Sequence, residues 1–144
     1  MHTTAEDLQN MAHFIRVYGL HRGDQFAHLG PVITLDISAL AYTVTEHGFP
    51  EVFFTDGIAS TRLIESSARA MACIQAISHV LDSDVNETEI APGVWVPDYI
   101  EHVSTWAMTP GIGCTQPPTD SEVIDRIQLA AQAVATQTST APAA

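Results

Sequence analysis

One stretch constrains the fold more than any other. Residues 60–81, STRLIESSARAMACIQAISHVL, run without a glycine or a proline. That length allows about six helical turns, and no breaker interrupts it. Leu63, Ala70, Ile74, Ile77 and Leu81 recur at helical spacing, with Ile64, Ala68 and Met71 beside them. The stripe is wide and rich in small side chains, so other helices can approach it closely. These residues predict a central helix from Ser60 to Leu81. The expected fold is mainly α: a single small bundle of four to five helices with irregular connections and, at most, one minimal β-ribbon.

The remaining rods are read from their caps and apolar faces. A first helix is predicted over residues 4–18, opened by a Thr3/Glu6 capping box and carrying Leu8, Met11, Ala12, Ile15 and Tyr18 on one face. Gly19 supplies its left-handed stop. Residues 19–33, with three glycines and a proline, read as a connection. A second helix is expected from Asp36 to His47, capped by Thr34 or Asp36 and ended by Gly48 and Pro50. The run Val52–Thr55 is β-prone but isolated, and reads as an apolar linker. Val94, Trp95 and Val96 are the residues that can pair with it in a minimal hairpin. A short helix over Asp98–Trp106 follows. Residues 109–119, rich in proline and glycine, must be a loop. Thr119 and Glu122 form a second capping box and open the last helix. The expected organisation is one helical domain over residues 1–136 and a disordered tail over 137–144.

Composition narrows the function classes. At 144 residues and 46% hydrophobic, the chain can bury one real core. Its formal charge of −12 sets 17 acidic groups against 5 basic ones, all arginine. Such a surface repels phosphate backbones and anionic lipid, so no nucleic acid and no membrane is expected as a partner. A protein partner, basic in character, is the expectation instead. Cys73 and Cys114 make no disulfide framework. The opening MHTTAEDLQNM is too polar for a signal peptide, and no apolar run approaches the roughly 20 residues of a membrane span. A cytoplasmic location is expected.

The late and early segments together carry a resemblance. FIRVYGLHRGDQF at 14–26, GPVITLDISAL at 30–40 and VSTWAMTPGIGCTQPPTDSEVIDRIQLAA at 103–131 resemble the DUF6197 family of small uncharacterised helical proteins from actinobacteria and their phages. That family's late region tends toward Trp-Asn-Asp, a Pro-Gly-Arg-Thr-like turn, then a helix with Glu-Val. Trp106, Thr115, Glu122 and Val123 fit it. Ala107 and Met108 replace the Asn-Asp pair, and the loop has no arginine. The resemblance implies a helical single domain and no defined activity.

Three kinds of chemistry compete with a purely binding role. His21, Asp24 and His28, joined by His13, are spaced as loop ligands, but no HExxH, CxxC or HxxxH pair completes a zinc set. Cys114 lies in the 109–119 loop, where a thiolate needs a cation, His79 or His102, or a helix N-terminus to activate it. Glu101 and His102 are adjacent, which on a helix points them apart by about 100°. Gly-Ile-Gly at 111–113 is a turn rather than a phosphate cradle. No metal and no cofactor is therefore assigned. The leading expectation is a non-enzymatic accessory protein, phage- or prophage-associated, working through protein–protein contacts. Its face is Asp82, Asp84, Glu87, Glu89, Trp95, Asp98, Tyr99 and Glu101. The alternatives are a small metal- or thiol-dependent enzyme using the 19–33 loop and Cys114, and a structural or oligomeric protein.

Overall fold

The computed structural model describes residues 2–23 and 25–140, with side chains through residue 137. Helix α1 spans Thr4–Tyr18 and is opened by the Thr3/Glu6 box, in which the Glu6 N–H donates to Thr3 Oγ1 at 3.2 Å. Gly19 follows at φ +81, a conformation that glycine enters without strain. A first antiparallel ribbon comes next, β1 Ala27–Leu29 with β2 Ile33–Leu35, in register His28↔Thr34. Helix α2, Ile37–Glu46, starts at Asp36, whose carboxylate accepts from the Ala39 N–H at 2.8 Å.

The next segment departs from the sequence expectation. Val52–Thr55 is a one-turn helix, α3, rather than an extended linker. Burial decides it: the turn drives Phe53 fully into the core, edge-on to Tyr42 and tilted against Phe26. Nor is Ser60–Leu81 one rod. Helix α4 covers Gly57–Glu65 and helix α5 covers Ala68–His79. The break is a second N-cap. Ser67 turns extended, at φ −95 and ψ 107, and accepts from the Ala70 N–H at 3.1 Å. It also donates to Glu46 Oε1 at 2.6 Å, so α2 holds the corner from outside. Serine competes with helical backbone hydrogen bonds in this way, and absence of glycine and proline was no safeguard.

A second ribbon pairs β3 Glu87–Ala91 with β4 Val94–Pro97. Val94–Val96 therefore pairs with its immediate predecessor, not with 52–55. Pro92 and Gly93 make the turn, with Gly93 at φ +75 as a type II turn demands. Helix α6, Tyr99–Met108, starts at Asp98, and helix α7 runs Asp120–Thr140. Part of the expected tail, residues 137–140, thus continues a helix, and residues 141–144 lie outside the described ones. The bundle of four to five helices with one ribbon is corrected accordingly: the described residues hold seven helices and two separate two-stranded sheets.

Helix α1 packs most extensively on α7, and α5 lies against α1, α2, α6 and α7. Leu8, Met11, Ile15, Leu40, Ile64, Ile74, Ile77, Val103 and Ile127 fill the space between them with no solvent exposure beyond 1%. Three arginines fasten the assembly. Arg69 Nη2 donates to both oxygens of buried Asp7 at 3.1 Å, joining α5 to α1. Arg22 donates to the Ala107 and Pro118 carbonyls and to Asp120, which ties the loop after α1 to the α6–α7 connection. Arg126 holds the Val80 carbonyl at 2.6 Å and Asp82 at 2.8 Å, closing the end of α5 onto α7. No helix among the described residues is long and apolar enough to cross a membrane.

Candidate interaction surface

The β3–β4 ribbon stands clear of this core. Every residue of both strands is exposed. Alternation sorts its side chains onto two faces. Glu89 opposes Trp95 across one face, with Glu87 opposite Pro97. Thr88 opposes Val96 on the other, with Ile90 two residues along. The ribbon is apolar without being covered: Ile90 is 65% exposed, Val94 47% and Trp95 55%. Isolated apolar side chains on a surface need no explanation, but this short ribbon exposes four, with Ile90, Val94 and Val96 on one face and Trp95 on the other.

The eight residues expected to form a contact face divide into working roles. Glu87, Glu89 and Trp95 belong to the ribbon, and Asp84 and Glu101 are exposed beside it. Asp82 is exposed but paired with Arg126. Asp98 is a cap: Oδ1 accepts from the Glu101 N–H at 3.1 Å and Oδ2 from Thr88 Oγ1 at 2.9 Å. It therefore locks the ribbon to the start of α6. Tyr99 is half-buried, edge-on to His79. The expected face leaves out Ile90, the most exposed large apolar side chain of the ribbon. The signal for it was present, since Pro-Gly between TEIA and VWV marks a hairpin.

Between the ribbon's Thr88/Val96 face and the body lies a groove of about 250 Å³, lined by Ile90, Val96, Met71, Tyr99, Glu65 and Asp98 among others. A wider and shallower hollow, bounded by Phe26, Asp56, Ile58 and Arg62, sits at the start of α4. There Asp56 already caps the helix, accepting from the Ala59 N–H at 3.0 Å.

The chemical candidates fare differently. His102 is 8% exposed and holds Ser78 Oγ on Nδ1 at 2.7 Å and Ser83 Oγ on Nε2 at 2.9 Å. An exposed serine on a buried imidazole is the outline of a nucleophile and its base. Hydrogen-bond accounting runs against that role. Buried Ser78 has this histidine as its side chain's partner, so its O–H is best used as donor to Nδ1. Nε2 then carries the proton and donates to Ser83, whose hydroxyl is not deprotonated by it. No carboxylate orients the ring from Nδ1 as a triad requires. His102 acts as a tie between α5, the loop after it, and α6.

Cys114 is exposed in a cleft lined by Trp106, Thr109, Gln116, Pro117, Thr119 and Glu122 among others, with neither histidine nor arginine on its wall. At the nearby start of α7 the Glu122 N–H donates to Thr119 Oγ1 at 3.2 Å and the Glu122 carboxylate accepts from the Thr119 N–H at 3.4 Å, so an anion already sits at that helix end. Cys73 is fully buried, and that burial pushes its thiol up to about 12, with the Asp7 carboxylate adding to the shift. His21 and His28 do come together, stacked at 5.6 Å between ring centres, while His13 stands exposed on α1. Burial lowers the His21 pKa, and the neighbouring His28 lowers it further. Asp24 lies outside the described residues. Among the described residues no group of three or more His, Cys, Asp or Glu is arranged to hold a metal ion.

Asp36 is the most perturbed carboxyl. It is half-buried, and loss of hydration raises its pKa from 3.8 to about 7, against the lowering effect of hydrogen bonds from Ala39 and Ser104. Ser104 Oγ reaches Asp36 Oδ2 at 2.7 Å and Ser38 Oγ at 2.7 Å. A perturbed carboxyl often marks a reactive site. Here every neighbour is a cap or a helix-to-helix tie, and none of the described clefts opens onto it.

No family model matches the chain, and neither the curated proteins nor the solved structures contain a match.

Proposed function

We propose that this chain is a non-enzymatic accessory protein of the cytoplasm that acts through protein–protein contacts, using the β3–β4 ribbon and the acidic residues around it. One observation carries the reading: Trp95, 55% exposed, and Ile90, 65% exposed, sit on a ribbon that the chain's own core does not need to cover. A large aromatic side chain ringed by charge is the composition of a binding anchor. The net charge of −12 favours encounter with a basic partner, and burial of the aromatic then holds it. The resemblance to DUF6197 adds a phage or prophage setting to the proposal. The open strand edges also favour a second copy of the chain as partner.

The test uses the full chain as bait in lysate of its source cell, beside Trp95→Ala and Ile90→Ser variants. Partner capture is expected to fall at least tenfold in both. Light scattering on the same samples separates a foreign partner from self-association. Capture and mass unaffected by either substitution would remove the ribbon from the contact.

A further inference from the structure

We propose that the groove under the ribbon binds a single cationic side chain, an arginine or lysine offered by the partner. This rests on the reading of the ribbon as a contact surface and specifies the chemistry of what it contacts. At about 250 Å³ the groove is smaller than the roughly 300–1,000 Å³ of a pocket for a whole small molecule, and matches one long side chain. Its walls are apolar where a stem would lie: Ile90 and Val96 on the ribbon, Met71 and Ile100 on the helices. Its charged groups are both carboxylates, Glu65 and Asp98, and neither arginine nor histidine lines it. An aliphatic stem with a cationic head is the side-chain type that satisfies both halves at once.

The two carboxylates are differently prepared. Asp98 is held rigid by Thr88 Oγ1 and the Glu101 N–H, which leaves each of its oxygens a second lone pair. Glu65 is exposed, and its carboxylate has no hydrogen-bond or ion-pair partner among the described residues. Tyr99 adds an aromatic ring on the same wall, to which a cation is attracted. Arg69 is committed to Asp7 and Arg126 to Asp82, and Arg62, one turn before Glu65 on α4, lines the neighbouring hollow and makes no ion pair with Glu65. No arginine lines the groove itself, so the charge there is left to be met from outside.

The probes are n-butylguanidinium, n-butylammonium and the uncharged n-butylurea, each titrated into the full chain while the methyl resonances of Met71, Ile90 and Val96 are followed. Saturable shifts confined to the groove are expected for the cations, at least about tenfold tighter than for the urea. Either cation meeting that standard supports the assignment. The preference is expected to weaken with added salt. It is expected to vanish in a Glu65→Gln, Asp98→Asn variant, where asparagine still caps α6. Ile90→Ser, which leaves both carboxylates intact, is expected to weaken all three probes together. Equal binding of urea and cations, shifts scattered outside the groove, or a charge preference surviving the double variant would overturn the site. Such a failure alongside lost capture by Trp95→Ala would discard the groove and leave the contact surface standing. Cation binding alongside undiminished capture would do the reverse.

Discussion

The two ribbons are built alike and used differently. Both are short antiparallel pairs with a proline and a glycine in or beside the turn. The first is sewn into the body. Ala27 and Leu35 are 4% and 1% exposed, Phe26 leans on Phe53, and the His21 N–H donates to the Leu35 carbonyl at 2.9 Å. The second has no buried residue in either strand. A two-stranded ribbon alone is at best marginal in water. The first is stabilised by what covers it. The second is held through Asp98, whose N–H donates to the Asn86 carbonyl at 2.8 Å while its side chain takes Thr88. The difference teaches that strand pairing is not what either ribbon contributes to the fold: coverage is, and only one of them has it.

The sharpest way to break that comparison is to truncate one apolar residue in each. Leu35→Ala empties a fully buried site and is expected to cost about 2–5 kcal/mol in denaturant unfolding. Trp95→Ala is expected to stay within about 0.5 kcal/mol of the parent, although it removes a larger side chain. Comparable losses would mean that the second ribbon is also covered. Next in size is the clamp on the first ribbon's loop. Arg22→Ala frees the Ala107 and Pro118 carbonyls and Asp120, and a loss of about 1–3 kcal/mol is expected. The loss should be largely salt-resistant if the two carbonyl bonds dominate.

A smaller effect is read from pH. Asp36 leaves the first ribbon at its end, its N–H donating to the Phe26 carbonyl at 2.7 Å. Its folded pKa, about 7, lies above its ordinary 3.8, so folding favours the protonated form. Its contribution is most favourable below about 3.8 and is lost as pH climbs through about 7. Asp36→Asn keeps an N-cap and removes the titration. Urea unfolding is expected to shift in favour of the variant between pH 5 and pH 8. A constant difference between the two proteins across that range would contradict it. The smallest effect belongs to the uncovered ribbon. Gly93 sits at φ +75 with open space around it, so Gly93→Ala strains only the turn. Amide exchange over 87–97 is expected to quicken while the global midpoint hardly moves.

What was legible in the sequence follows from how local each signal is. The Thr3 and Thr119 boxes, the Asp36 cap and the helix beginning at Asp98 are written within four residues, and all four are where the sequence puts them. The corner at Ser66–Ser67 was legible only in part: the Ser67 cap on Ala70 is local, but Glu46, which braces it, comes from another helix. Val52–Thr55 looked like a strand by propensity and became a helical turn because Phe53 had a cavity to fill. The acidic and aromatic segment was visible as a face, but not its division into cap, paired carboxylate and bare ribbon. The groove was invisible, since Glu65 and Met71 approach the ribbon only through the tertiary fold. His102 was singled out as a candidate base. Its two serine partners, from either side of the end of α5, identify it as a structural tie.

The contrast between the tryptophans has a practical side. Trp106 is half-buried against the core, whereas Trp95 is more than half exposed, and the chain has these 2 and no others. Its intrinsic fluorescence therefore carries a red-shifted component from one indole and a bluer, steadier one from the other. Any molecule that closes over the second ribbon will drag the first component toward the second, so occupancy can be followed optically with no label attached.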